Sequence, residues 1–105
     1  MVLAAMNLTC HNRLTVIGPR REVGRFQTSA WAKILRVRYL EPLEFSPRRF
    51  VCQFETNPHE LRRLRALSRR WPGLVFLLDY EVPRSRTKGI AKTQAGKLEH
   101  CEIGY

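Results

Sequence analysis

The sequence predicts an α+β fold in which two helices cover one face of an antiparallel sheet of four to five strands. Three observations lead to this prediction. Short segments that alternate with a two-residue period indicate strands, two amphipathic segments indicate helices, and the order of these segments is β-α-β-β-α-β-β. At 105 residues the chain is long enough to bury one core. We therefore expect a tail at residues 1–9 and a single domain at residues 10–105.

The first strand and the first helix follow one another closely. Residues 13–17 alternate with β-branched side chains and stop at Gly18-Pro19, which predicts a strand that runs into a turn. Val23, Phe26 and Ala30 then recur at helical spacing, which predicts a helix that ends near Trp31.

The next two strands are separated by prolines. Residues 33–40 place Leu35, Val37 and Tyr39 on one face and arginines on the other, which predicts the second strand. Residues 41–47 contain two prolines and are expected to form an irregular connection. Residues 50–55 alternate again and predict the third strand.

The second helix is the most clearly predicted element. Asn57 is expected at the N-cap, Pro58 at the first helical position, and Glu60 at the third, in a capping-box-like arrangement. The predicted buried face consists of Leu61, Leu64, Leu67 and Trp71.

The last third of the chain predicts a central strand and a hairpin. Residues 74–82 are apolar on both phases, as in a strand that is buried against helices. Residues 83–97 are polar and basic and are expected to form a loop that ends in a hairpin tip at Ala95-Gly96-Lys97. Residues 97–103 are expected to return as the last strand.

Three motifs in a fixed order resemble a known family. The first is a strand of the pattern C-x-N-x-L-x-V-x-G at residues 10–18, the second is F-E-T at residues 54–56, and the third is aromatic-Pro-x-Leu-x-Phe at residues 71–76. Together they resemble the YubB-like family of small phage- and plasmid-borne proteins. The resemblance spans residues 10–81 and implies a ferredoxin-like domain, an open-faced sandwich, from a mobile element. It implies no particular reaction.

The charge balance indicates an anionic partner. The chain has 19 Lys and Arg residues against 9 Asp and Glu, which gives a net charge of +10 and a pI of about 10.6. Nucleic acid is the commonest anionic partner of a small basic domain. Fifteen of the basic residues are Arg, so an Arg-rich coding background is the alternative explanation.

The candidate nucleic-acid contacts lie on the second helix and in the basic segment near the C-terminus. Arginine offers a planar fork for phosphate, and residues 84–97 contain no acidic residue. Arg20 and Arg21 are expected to contribute less. The predicted binding residues are Arg62, Arg65, Arg69, Arg70, Arg84, Arg86, Lys88 and Lys92.

A catalytic site is the less favoured interpretation. Glu55, Asp79 and Glu81 would share one sheet face and could hold Mg²⁺ in a small nuclease, but cross-strand pairing with Arg36 and Arg38 explains them more simply. His59 and His100 lack an identifiable acid–base partner in the sequence. We therefore expect no catalytic residues.

The cysteines and histidines do not predict a metal site or a cofactor. Cys10-His11 and His100-Cys101 are adjacent pairs on predicted strands, so each pair can direct only one ligand to a given metal. Three widely spaced cysteines favour a reducing cytoplasm over an oxidised scaffold. Residues 1–8 do not have the pattern of a signal peptide or a membrane span.

The sequence therefore predicts a non-catalytic, cytoplasmic module that binds nucleic acid, of a type that the sequence does not determine. The runner-up is a protein–protein accessory module. A homodimer is expected through an edge strand or through the uncovered sheet face, which would expose Val51, Val75 and Leu77. The competing expectation is that residues 83–105 fold over that face.

Overall fold

A computed structural model describes residues 8–58 and 61–105 of the chain. In this part of the chain the elements follow in the order β1 (Cys10–Ile17), α1 (Arg20–Gln27), α2 (Trp31–Ile34), β2 (Arg38–Ser46), β3 (Arg49–Thr56), α3 (Leu61–Arg70), β4 (Val75–Val82), a 3₁₀ turn (Pro83–Ser85), β5 (Thr87–Gln94) and β6 (Lys97–Gly104).

The strands form one antiparallel sheet in the order β2-β3-β1-β4-β5-β6. The α+β class is therefore confirmed. The expected numbers of elements were too low, because the described residues contain six strands instead of four to five and three helices instead of two. The sixth strand arises because most of the predicted basic loop at residues 84–97 is strand β5, which pairs with β4 and leads into β6.

The prediction for the second strand was only partly correct, because β2 includes residues 38–40 of the predicted 33–40 but begins later and continues to Ser46. Trp31 and Leu35 are both buried and lie four residues apart, so this segment forms the short helix α2 before the strand begins. Arg36 and Tyr39 then adopt positive φ angles of 55° and 54°, which interrupt an extended backbone. The strand forms later, through Pro42, where register shifts against β3 occur; proline is tolerated because β2 lies at the edge of the sheet.

The core lies between the sheet and the helices. Leu14, Val16 and Phe76 are fully buried on the face that the helices cover. The ring of Phe26 in α1 packs against three other aromatic rings, with centre-to-centre distances of 5.4 Å to Trp31, 5.6 Å to Trp71 and 5.3 Å to Phe76. These aromatic contacts join both long helices to the middle of the sheet.

The buried face of α3 agrees with the sequence prediction. Leu64 and Leu67 are each 1% exposed, and Leu61 and Trp71 are partly buried against the same core. The predicted cap of this helix includes His59 and Glu60, which lie outside the described residues. Residues 1–7 of the predicted tail also lie outside them.

A hydrogen-bond node joins α3 to the β5–β6 hairpin. The buried Ser68 hydroxyl donates to the Arg65 carbonyl at 2.7 Å and accepts from the Gly96 amide at 2.9 Å. Since its single proton is used, the Thr93 hydroxyl, at 2.8 Å, must donate to it. The Arg65 Nε group also donates to the Gly96 carbonyl at 2.7 Å. The hairpin is therefore held against the helix at its tip.

The tip itself is a two-residue turn. Ala95 and Gly96 have φ angles of 51° and 83°, and Gln94 pairs with Lys97. Two consecutive positive φ values are typical of the type I′ turn, whose twist matches that of a hairpin. The predicted tip is confirmed for Ala95 and Gly96, whereas Lys97 is already the first residue of β6.

None of the helices in the described residues has the length and apolar character that crossing a membrane requires.

Substitution of Ser68 by Ala is expected to lower the free energy of unfolding by about 1–3 kcal/mol. The change leaves the buried Gly96 amide and the Thr93 hydroxyl without their partner, and an unsatisfied buried polar group carries a penalty of this size. Urea unfolding measures the loss. The matched control is Ser46→Ala, because Ser46 is exposed and bonds the Arg49 carbonyl at 3.3 Å; its expected change is within about 0.5 kcal/mol. Equal effects of the two substitutions would contradict the role of the node.

Candidate functional site

The predicted arginines of α3 lie on the outer side of that helix. Leu64, Leu67 and Ser68 are the buried residues of the helix and Leu61 is partly buried, so at 100° per residue the exposed positions lie on the side away from the sheet. Four of the predicted binding residues are exposed there: Arg62, Arg65, Arg69 and Arg70. Two of these residues also stabilise the last turn of the helix, because basic side chains at a helix C-terminus interact favourably with its dipole.

Two of these arginines also hold the hairpin tip. Arg65 bonds the Gly96 carbonyl, and the aliphatic stem of Arg69 lies so close to Gly96 that a β-carbon there would clash with it. Arg62 and Arg70 have no such contact with the tip among the described interactions. They are therefore the better positions at which to test binding without disturbing the fold.

Arg84 and Arg86 lie at the far end of β5 from the hairpin tip. Arg84 belongs to the 3₁₀ turn, and Arg86 follows it with a φ of 54°. The Arg86 guanidinium lies 5.6 Å from the centre of the Tyr105 ring. An eight-residue strand spans roughly 26 Å, so this pair is well separated from Arg65 and Arg69.

Lys88 and Lys92 lie on the opposite side of the molecule from the helices. Lys88 pairs with Glu81 and Lys92 pairs with Leu77, and these residues share the uncovered face of the sheet, which we call the open face. The eight predicted residues therefore do not form one surface. The predicted loop is strand β5, and alternate residues of a strand point to opposite faces of the sheet. Lys88 and Lys92 therefore point to the open face and not toward the arginines of the helices.

The open face is electrically balanced. Strand register assigns to it six basic and six acidic side chains. They are Arg13, Arg38, Arg49, Lys88, Lys92 and Lys97, with Glu41, Glu44, Glu55, Asp79, Glu81 and Glu99. The whole excess of +10 thus belongs to the helices, the turns and the covered face, where Glu22 and Glu102 are the described acids.

The first helix adds exposed basic residues: Arg20 and Arg21, which were expected to contribute less, and Arg25, which was not among the predicted residues. Arg20, Arg21 and Arg25 are exposed, because Val23 and Phe26 are the residues of α1 that face the core. Since Phe26 also packs on Trp71 at the end of α3, both long helices display arginines on the same side of the sheet. The signal in the sequence was the amphipathic pattern itself, which directs the arginines of each helix away from a shared core.

The open face contains a shallow concavity of about 850 Å³ near its centre. His11 lies between Glu55 and Glu81 in the sheet register, and its Nδ1 atom is 3.9 Å from the Glu55 carboxylate. Tyr105 donates a hydrogen bond to Glu81, which raises the pKa of the tyrosine hydroxyl. No group of three His, Cys, Asp or Glu residues that could hold a metal ion is found in the part of the chain that the structure describes.

The predicted pairing of these carboxylates with arginines was only partly correct. Arg38 stands opposite Glu55 in the register, but its Nη1 atom donates to the Asn57 side chain at 3.3 Å. Arg36 lies in the turn before β2 and not in a strand.

The apolar residues on the open face also differ from those expected. Val51 is buried and Val75 and Leu77 are partly buried, whereas Ile90 and Ile103 are each 59% exposed. Residues 83–105 therefore do not cover this face; they extend the sheet and add exposed apolar side chains to it.

The covered face carries a polar cluster that sequence reasoning missed. The Tyr80 hydroxyl donates to a Glu102 carboxylate oxygen at 2.6 Å and lies 2.5 Å from His100 Nε2. Since the phenol has one proton, His100 Nε2 must donate to it. Burial, followed by the bond to Glu102, raises the pKa of Tyr80 above its ordinary value.

Gly89 makes this cluster possible. Tyr80, Gly89 and Glu102 stand in one row across β4, β5 and β6, and a β-carbon on Gly89 would overlap the Tyr80 ring. The ring therefore crosses β5 to reach β6. A glycine inside a predicted basic strand is the available sequence signal for such a close approach.

A smaller cavity of about 250 Å³ lies beside this cluster on the covered face. Its polar lining includes Asn12, whose side-chain amide donates to the Cys10 carbonyl at 3.1 Å, the Phe54 carbonyl at 3.4 Å and the Thr56 hydroxyl at 2.9 Å. These bonds tie β1 to β3. The conspicuous Asn12 therefore has a structural explanation.

The cysteine–histidine pairs behave as strand alternation predicts. Cys10 is buried beneath the helices while His11 lies on the open face, and Cys101 lies on the open face while His100 contacts Tyr80 on the covered face. Each pair is split between the two faces of the sheet.

The chain matches no family model, and no curated protein or solved structure is significantly similar to it.

Substitution of Gly89 by Ala is expected to displace the Tyr80 ring from Glu102 and His100. The Tyr80 pKa should then fall toward that of an ordinary tyrosine, because burial and the bond to Glu102 are what raise it. Titration of the tyrosine absorbance, with Tyr80→Phe to identify the transition of Tyr80, measures the change.

The same substitution in α1 is the matched control. Gly24 has no atom near its would-be β-carbon, so Gly24→Ala should raise the free energy of unfolding by about 0.5–1 kcal/mol. Gly89→Ala should lower it. If Gly89→Ala proved neutral and left the tyrosine titration unchanged, the close approach of Tyr80 to β5 would be wrong.

Proposed function

We propose that the chain is a non-catalytic nucleic-acid-binding module whose helix side contacts the phosphate backbone. One observation carries this proposal. The open face has no net charge, so the excess of +10 is concentrated on the rest of the surface, above all on α1 and α3. Charge concentrated on one side attracts a polyanion in a fixed orientation, which an even distribution would not do.

The two long helices supply a continuous basic surface, which we call the helix layer. It consists of Arg20, Arg21, Arg25, Arg62, Arg65, Arg69 and Arg70, all of which are exposed. Glu22 of α1 lies against Gly73, in the turn that follows α3, so the two helices meet close to the C-terminal arginines of α3. A phosphate backbone that follows α3 would then continue onto α1.

The chemistry of the helix layer favours contact with phosphates over the reading of bases. Its polar groups are guanidinium forks, which match phosphate oxygens, and α1 and α3 expose no aromatic ring on which a base could stack. Contacts with phosphates position a protein on nucleic acid but carry no sequence information. We therefore infer weak sequence preference. Six carboxylates on the open face disfavour phosphate there, so we leave Lys88 and Lys92 out of the proposed site.

The relation to ferredoxin-like domains is part of the same proposal. The first four strands lie in the order β2-β3-β1-β4, with α1 and α3 on one side of the sheet. This arrangement supports a ferredoxin-like unit to which the β5–β6 hairpin is added. The residues that carry the resemblance to the YubB-like family, such as Asn12, Leu14 and Phe54, are buried, so they support a shared fold and do not identify a shared activity.

A protein contact through the open face is the second candidate. The exposed Ile90 and Ile103 lie there among balanced charges, which suits a protein surface better than a polyanion.

The test is a comparison of two double charge reversals of equal size on opposite faces. Arg62→Glu with Arg70→Glu alters the helix layer, and Lys88→Glu with Lys92→Glu alters the open face by the same net charge. We expect the first pair to weaken binding to a labelled duplex or single strand about tenfold or more at low salt, and the second pair to have a much smaller effect. Fluorescence anisotropy across a salt series measures both.

The salt dependence of the binding constant gives an independent measure of the number of phosphate contacts. Neutralisation of about four phosphates predicts a slope of roughly −4 for log K against log salt, and each lost arginine contact should reduce its magnitude by about one. Equal losses in the two double variants would show that net charge alone matters. Absence of binding by the unaltered chain at low salt would contradict the proposed function.

A further inference from the structure

The two edges of the sheet differ in their ability to accept another strand. The edge formed by β2 contains Pro42 and two register shifts against β3, features that protect an edge from pairing. The edge formed by β6 has neither. Its eight residues pair with β5 without interruption, from Thr87↔Gly104 to Gln94↔Lys97.

The geometry of the hairpin tip determines which backbone groups of β6 bond to β5 and which point outward from the sheet. In a two-residue turn of this type the closing pair, here Gln94 and Lys97, is hydrogen-bonded, and hydrogen-bonded pairs recur at every second residue. The bond from the Tyr105 amide to the Arg86 carbonyl, at 2.8 Å, has the phase that this rule predicts. The backbone groups directed away from β5 are therefore those of Leu98, His100, Glu102 and Gly104.

We propose that β6 pairs antiparallel with β6 of a second copy of this chain, so that two sheets join into one of twelve strands. Residues that stand opposite one another in antiparallel strands point to the same face of the sheet. In a symmetric pair of β6 strands, an even-numbered residue must therefore stand opposite an even-numbered residue, and an odd-numbered residue opposite an odd-numbered one. The register centred on Cys101 uses all four outward-directed residues. Leu98 then pairs with Gly104 of the other copy, and His100 pairs with Glu102.

Charge favours the same register. The register centred on Cys101 places the imidazole of His100 in each copy opposite the carboxylate of Glu102 in the other copy. Both side chains lie on the face where they already bond Tyr80. Registers centred on Glu99 or on Glu102 would place a carboxylate directly opposite its own copy. A register centred on His100 would form only three hydrogen-bonded pairs, whereas the register centred on Cys101 forms four, so it is the less favourable of the two.

The edge is also better suited to a second copy than the open face is. The open face is concave, with a volume of about 850 Å³, so two such faces would enclose a void or solvent. At the edge, β6 carries Lys97 against Glu99 and Glu102, so it adds no positive charge to the repulsion between two chains of +10. The helix layers remain free in this arrangement.

Cys101 reports on the register without being needed for the contact. In the proposed dimer the two Cys101 residues form a non-hydrogen-bonded pair, whose Cα atoms are about 4.5 Å apart and within the range of a disulfide. Cys10 and Cys52 are buried, and burial raises the pKa of the Cys52 thiol to about 12, so neither should react at neutral pH. Mild oxidation with copper–phenanthroline should therefore link wild-type chains in pairs.

The test combines this cross-linking with light scattering, both without nucleic acid, so its outcome is independent of the proposed function. Wild type should cross-link and Cys101→Ser should not. In the Cys101→Ser background, the further substitution His100→Cys should give far less cross-linking than the natural Cys101 gives, because the two residues at position 100 would be about 8 Å apart or more. Stronger cross-linking at position 100 would overturn the proposed register.

Light scattering in reducing buffer gives the mass without any cross-link. We expect two chains at high concentration and one chain after dilution. His100→Pro removes an outward amide that β5 does not use, so it should give one chain at all concentrations while circular dichroism shows a folded protein. A constant mass of one chain in the wild type would overturn the proposal. So would a dimer that survives His100→Pro but dissociates on Ile90→Lys with Ile103→Lys, since it would then use the open face.

Discussion

The hydroxyl of Ser68 is the contact on which the arrangement of the second half of the chain depends. It is fully buried, and it joins α3, through the Arg65 carbonyl, to strand β5, through Thr93, and to the hairpin turn, through Gly96. Because the β5–β6 turn is fixed in this way, β6 lies where Glu102 and His100 can meet the Tyr80 hydroxyl. The free edge of the sheet is thus set by one small side chain on a helix.

The separation of charge is a consequence of the one-sided packing. Both long helices turn their apolar residues, such as Val23 and Leu64, toward the same face of the sheet, so most of their arginines lie on the exposed side. On the strands, acids and bases occupy neighbouring positions of the open face and balance one another. A basic surface and a surface without net charge then lie on opposite sides of one sheet.

The motif residues of the first strand and of residues 54–56 have roles in folding. Cys10, Leu14 and Val16 are buried under the helices. The side-chain amide of Asn12 donates hydrogen bonds to a carbonyl of β1 and to two oxygen atoms of β3. Gly18 lies against Leu74, where a β-carbon would clash. A motif made of inward-facing residues specifies the packing of a fold. The residues proposed to bind a partner lie outside it, on exposed positions.

The sequence by itself determined the elements whose signals are local. Alternation located β1 and β3, and a run that is apolar on both phases located β4. Helical periodicity identified the buried face of α3 and, in α1, Val23 and Phe26 but not the exposed Ala30, and Ala95-Gly96 marked the turn of the hairpin. Tertiary structure decided the rest. Burial of Trp31 and Leu35 placed the short helix α2 across the first two residues of the predicted second strand, and the edge position of β2 allowed Pro42 within a strand. The face of Lys88 and Lys92, and the meeting of Tyr80 with Glu102 across Gly89, follow from the pairing of distant strands, which no local pattern encodes.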